Sequence, residues 1–130
     1  MKYVLFVLLA VVLAGCAPET PVGKPFWEAN KLEIVVERGG GTGMHYQTND
    51  VEKIKAFHDY INHADSTVAQ NCAYEGTLTL YYTETKTENF KFSLQPGCAQ
   101  ITGVVNGETY TRPFTADGVA YLELLQQASR

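Results

Sequence analysis

The chain has 130 residues, 45% of them hydrophobic and 18% charged, and a formal net charge of −4. That length is enough for one domain. The acidic balance excludes a nucleic-acid binder, which needs clustered Lys and Arg against the phosphates, and 12% aromatic residues exclude disorder for most of the chain.

Lys2 is the only charge before Glu19, and Tyr3 to Val12 is an unbroken apolar run. A membrane-crossing helix needs roughly 20 such residues, so the run is too short to span. A charged start, a short apolar core and small residues before a break are the three parts of an export signal. The break here is Leu13-Ala14-Gly15-Cys16. This leader resembles that of bacterial lipoproteins, whose lipobox cysteine is acylated and becomes the first residue after cleavage. The resemblance covers the leader alone. It implies a signal peptide over 1–15, lipidation of Cys16 and membrane attachment through its acyl chains, two of which already anchor a protein stably. Ala17 stands where an Asp would resemble the inner-membrane retention signal, which, if the envelope is Gram-negative, favours the outer membrane facing the periplasm; the sequence leaves a Gram-positive envelope equally open. Residues 16–25 carry Pro18, Pro21, Gly23 and Pro25 and read as an extended tether. A single domain is expected over 26–130.

Within that domain, Lys31 to Glu37 alternates, with Leu32, Ile34 and Val36 on one face, and predicts a half-buried strand. Gly39 to Gly43 breaks it as a flexible loop, and Met44 to Gln47 can return as a short partner strand. Asn49 and Glu52 have capping-box spacing. Val51, Ile54, Phe57 and Ile61 then form a helical stripe that runs to about His63.

Tyr74, Leu78, Leu80 and Tyr82 are the apolar positions of the next strand, and Phe90, Phe92 and Leu94 those of its partner. Centring the hairpin on Thr85 sets Leu80 opposite Phe90 and Leu78 opposite Phe92, and the same register brings Cys72 opposite Cys98. Asn106-Gly107 is a strong two-residue hairpin turn between Ile101–Val105 and Glu108–Arg112, because both turn positions need positive φ. A last helix starts at Gly118 and buries Val119, Leu122 and Leu125. These elements predict an α+β fold of β-α-β-β-β-β-α order. It would be an antiparallel sheet of about four to six strands with two helices packed on one face.

Little in the chain is equipped for catalysis. The glycine cluster lacks the Gly-Lys-Ser/Thr ending of a phosphate loop. His58 and His63 are five apart, about 140° around a helix, where metal ligands on one helix need i and i+4. His45, His58 and His63 therefore read as surface histidines, and neither a metal nor a cofactor is expected. With Cys16 lipidated, Cys72 and Cys98 are the remaining pair and should be a disulfide in an oxidising compartment. No serine has a nucleophile-elbow context.

The tyrosines are the remaining signal. Tyr74, Tyr82 and Tyr110 fall on core faces, whereas Tyr81 shares the opposite sheet face with Thr77 and Thr79. Tyr is enriched at contact hot spots, so this face is a candidate surface for an envelope protein partner. The expectation is a lipid-anchored, non-catalytic binding or accessory module, similar in organisation to small bacterial α+β lipoproteins. The alternative is a small envelope hydrolase or an inhibitor of one.

Overall fold

A computed structural model describes residues 16–38, 41–64, 68, 71–82 and 86–129. Helix α1 (Gly23–Glu28) leads into strands β1 (Lys31–Arg38) and β2 (Gly41–Thr48), followed by helix α2 (Val51–His58). Strands β3 (Gly76–Tyr81), β4 (Thr87–Ser93), β5 (Gln100–Val105) and β6 (Glu108–Pro113) then precede helix α3 (Ala116–Ala128). The strands form one sheet in the order β2-β1-β3-β4-β5-β6, and every neighbouring pair is antiparallel. The fold is thus α+β, in an order close to the expected one, with one helix more at the start and a second strand, β2, before α2.

The alternation in β1 works as expected: Leu32, Ile34 and Val36 are buried, and each faces a residue of β2 and one of β3. Leu78 and Leu80 of β3, Phe90 and Phe92 of β4, and Ile101 of β5 continue that face. Phe26 of α1, Ile54 and Phe57 of α2, and Leu122 of α3 join the same cluster. All the helices therefore pack on one side of the sheet. Phe57 is the hub, with Phe26 stacked at 5.8 Å and Tyr121 and Phe114 edge-on at 6.3 and 6.5 Å. Asn106 and Gly107 turn the last hairpin at φ of 53° and 81°, as their sequence requires.

The extended segment expected over 16–25 is cut short in the structure. Val22 is fully buried, α1 starts at Gly23, and Phe26 is inserted into the core, so 22–25 belong to the folded body. Pro25 lies in the first turn of α1, where its missing N–H has no helical partner to lose. The prolines were thus compatible with a helix start as well as with extended chain.

Helix boundaries also move. Asp50, not Asn49, caps α2, its carboxylate accepting from the backbone N–H groups of Glu52 and Lys53. That helix stops at His58, and Ile61 instead bridges to Phe114. Thr115 caps α3, accepting from the Gly118 N–H, so this helix begins two residues earlier than Gly118.

The central hairpin is shifted by two residues from the expected register. Leu78 faces Phe90, Gly76 faces Phe92, and Leu80 faces Glu88. A shift of two leaves every side chain on its own face, so apolar alternation could not distinguish the two pairings. The ring of Phe92 covers Gly76, where any Cβ would overlap it. The Cys72–Cys98 disulfide is present all the same, with Cα atoms 5.8 Å apart. Both cysteines lie beyond the ends of β3 and β4, where chain path and not ladder register brings them together.

Candidate functional site

The second face of the sheet is built from the alternate residues of the same strands. Lys31, Glu33 and Val35 of β1 align with His45 and Gln47 of β2 on one side and Thr77, Thr79 and Tyr81 of β3 on the other. Asn89 and Lys91 of β4, Thr102 and Val104 of β5, and Thr109 and Thr111 of β6 extend it. Antiparallel sheets commonly leave one face to water, and here the helices occupy only the other.

Tyr81 and Thr77 are on this face, as expected from the sequence. Thr77 is exposed and Tyr81 half-buried. Thr79 shares the face but is 91% covered by its neighbours, and its hydroxyl donates to Asn89 Oδ1 at 2.9 Å. It supports the surface rather than presenting itself there.

Tyr81 is held by a three-strand network. Its hydroxyl donates to Glu33 Oε1 at 3.1 Å, and His45 Nε2 lies 2.9 Å from Glu33 Oε2. Lys31 Nζ sits 4.7 Å from the centre of the Tyr81 ring. The His45 hydrogen bond is the largest influence on the Glu33 carboxyl and lowers its pKa; burial opposes it, and the bond from Tyr81 and the nearby His45 and Lys31 lower it further. Burial first, then the bond to Glu33, raises the Tyr81 phenol. The ring is therefore fixed in orientation, and an ordered aromatic loses little side-chain entropy when a partner covers it.

Beside it, β3 to β6 form a shallow groove of about 480 Å³, lined by Thr77, Asn89, Lys91, Thr102, Val104 and Thr109 among others. Val104 is 57% exposed at its floor. Thr102 and Thr111 share a hydroxyl–hydroxyl bond of 2.7 Å. This lining offers hydroxyls, an amide, the Lys91 ammonium and the Glu88 carboxylate around a small apolar centre. Val104, Asn89 and Thr109 were not singled out from the sequence. Their one signal was alternation opposite to the core positions of each strand.

Several expectations fail on the helix side of the molecule. His58 is buried rather than on the surface, and His63 is half-buried against it. The rings stack although the residues are five apart, because α2 ends at His58 and the chain then turns back. His58 Nε2 meets Thr20 Oγ1 at 2.7 Å, and its Nδ1 lies 3.2 Å from Asp59 Oδ1. His63 Nε2 donates to the His58 carbonyl at 2.8 Å, so the neutral ring accepts from the Tyr110 hydroxyl at Nδ1, 2.9 Å away. Burial pushes the Tyr110 phenol up to about 12, which keeps that donor protonated. Tyr74, expected in the core, is 38% exposed and receives a bond from the Gln100 amide.

Among the described residues, no group of three or more His, Cys, Asp or Glu is placed to hold a metal ion, and no helix is long and apolar enough to cross a membrane. The leader expected over 1–15 lies outside the described residues, and Cys16 is exposed. No family model, curated protein or solved structure matches the chain.

Proposed function

We propose that the protein is a lipid-anchored lipoprotein of the cell envelope, acylated at Cys16 and working as a non-catalytic binding module. Its partner is another envelope protein, which docks on the helix-free face of the sheet around Tyr81, Thr77 and the neighbouring groove. The observation that carries this reading is the held Tyr81 ring, fixed by Glu33 and Lys31 beside a polar groove with an exposed valine. Preordered aromatics next to a small apolar patch with a polar rim are the usual anatomy of a protein contact. The lipobox-like leader supports the anchor, the residue after Cys16 favours the outer membrane facing the periplasm, and the Cys72–Cys98 disulfide suits an oxidising compartment.

Two measurements test it. Mass spectrometry of the membrane fraction should find an acylated N-terminal cysteine, and Cys16→Ala should abolish membrane attachment. A photo-crosslinking residue at Thr77 should trap one protein species in intact envelopes, whereas the same probe at exposed Glu52 on α2 should not. Equal trapping at both positions, or a processed chain starting elsewhere than Cys16, would overturn the reading.

A further inference from the structure

A six-stranded open sheet has two edges, and edges that are left bare invite another strand. In this fold the two edges are treated differently. The bond from Phe114 N to Ala99 O sets the alternation along β5 and β6. Residues 109, 111 and 113 of β6 consequently turn their backbone groups away from the sheet. Two of those carbonyls are occupied. Arg112 Nη1 donates to the Thr111 carbonyl at 2.9 Å, and the Asn62 N–H donates to the Pro113 carbonyl at 2.9 Å. Pro113 itself offers no N–H, and Ile61 bridges to Phe114 at the end of the strand. This edge is blunted by a guanidinium, a proline and a strap of chain.

The β2 edge has none of these devices. The bond from Glu37 N to Glu75 O places the odd residues of β1 on the β3 side, so its even residues bond to β2. Thr48, Tyr46 and Met44 face those even residues, which leaves the N–H and C=O groups of His45 and Gln47 pointing out of the sheet; beyond Met44 the register shifts, and Gly43 is the extra residue with no partner on β1. Outside the strand ladder, no backbone hydrogen bond among the described residues reaches those outward groups. Residues 41–48 contain no proline and no Asp, Glu, Lys or Arg, in a chain whose net charge is −4.

That neutrality singles out one occupant. Antiparallel self-pairing of a charged strand would set like charges opposite each other, which is destabilising; this strand sets none. A two-fold axis across an antiparallel pair is also the simplest closed symmetry, since one surface meets its own copy. We propose that β2 pairs with β2 of a second copy of this chain, joining two six-stranded sheets edge to edge. Opposed residues share a face, so His45 and Gln47 meet the same pair from the other copy on the helix-free face. A strand pair alone falls short of the roughly 1,000 Å² of a stable interface, so the dimer is reversible and concentration-dependent.

Sedimentation equilibrium on residues 17–130, which contain every element described above, tests this at concentrations up to about 1 mM. Dimer should form, and hydrogen exchange should show the amides of His45 and Gln47 becoming protected only as it does. Gln47→Pro removes an outward N–H without touching the β1 ladder, and Gln47→Lys puts a cation on the pairing edge. Each should weaken the dimer at least tenfold with little change in thermal midpoint, whereas Thr109→Lys on β6 should leave it intact. A monomer at every concentration, or a dimer broken by Thr109→Lys and not by the Gln47 variants, overturns the proposal. Protection of the β2 amides by an added extended peptide, with the protein itself always monomeric, overturns it too. Photo-crosslinking from Thr77 reads the partner face independently, so either result can fail without the other.

Discussion

The imidazole of His63 lies face to face with that of His58, ring centroids 4.1 Å apart and planes 20° from parallel. Burial is the main cause that lowers the His63 pKa; the bond to the His58 carbonyl opposes it, the His58 ring adds a further depression, and Asp59 and Arg112 have smaller effects of opposite sign. A histidine whose folded pKa is depressed binds its proton more readily when unfolded. Stability is therefore full above about pH 6.5, the unfolded value, and declines as pH falls below it toward the folded value. Denaturant melts between pH 7.5 and 5 should show that decline. His63→Gln, which keeps a polar side chain but does not titrate, should flatten it. An unchanged slope in the variant would show that His63 is not responsible.

Truncating Phe26 checks whether residues before β1 belong to the core. The ring is fully buried and stacked on Phe57, and removing a buried aromatic typically costs about 3–5 kcal/mol. Phe26→Ala should lower the denaturation free energy by that order. A loss below about 1 kcal/mol would mean that α1 contributes little.

Reducing the Cys72–Cys98 bond, or replacing both residues by alanine, opens a loop with a sequence separation of 26. Chain-entropy reasoning gives a loss of about 3–4 kcal/mol. The fold should survive, because neither cysteine belongs to a ladder. Circular dichroism should report native secondary structure with a lowered midpoint.

Gly76→Ala should be severe for a residue so small. An added Cβ meets the Phe92 ring at three of its carbons, and Phe92 is itself fully buried. The ring has no room to retreat, and overpacking of this kind costs about 1–3 kcal/mol. Gly76→Ala combined with Phe92→Leu should recover part of the loss, and failure to recover any would disprove the clash.

That glycine also shows how far the sequence could be read. Strand positions and the buried face were visible because Leu32, Ile34 and Val36 or Phe90 and Phe92 alternate strictly. Register was not, since an aromatic ring covering a glycine looks from the sequence like an unpaired position. The disulfide pairing was reached by counting cysteines, although the ladder expected to place it is shifted. Tyr81 and Thr77 were legible as outer-face residues by parity with Leu78 and Leu80. The Glu33–His45 bond that orients Tyr81 spans separate strands and left no local trace. The His58–His63 stack was hidden by an assumed helix running to His63, which would have separated the rings.

Burial of Val22 has a geometric consequence for anything fastened at Cys16. Only residues 17–21 separate that thiol from the first residue locked into the core. Six residue steps of fully extended chain reach at most about 21 Å, and Thr20 is already tied back to His58. A body on so short a leash cannot sweep the surrounding space. It stays close to its attachment point, with its orientation restricted, and meets only what comes within that narrow shell.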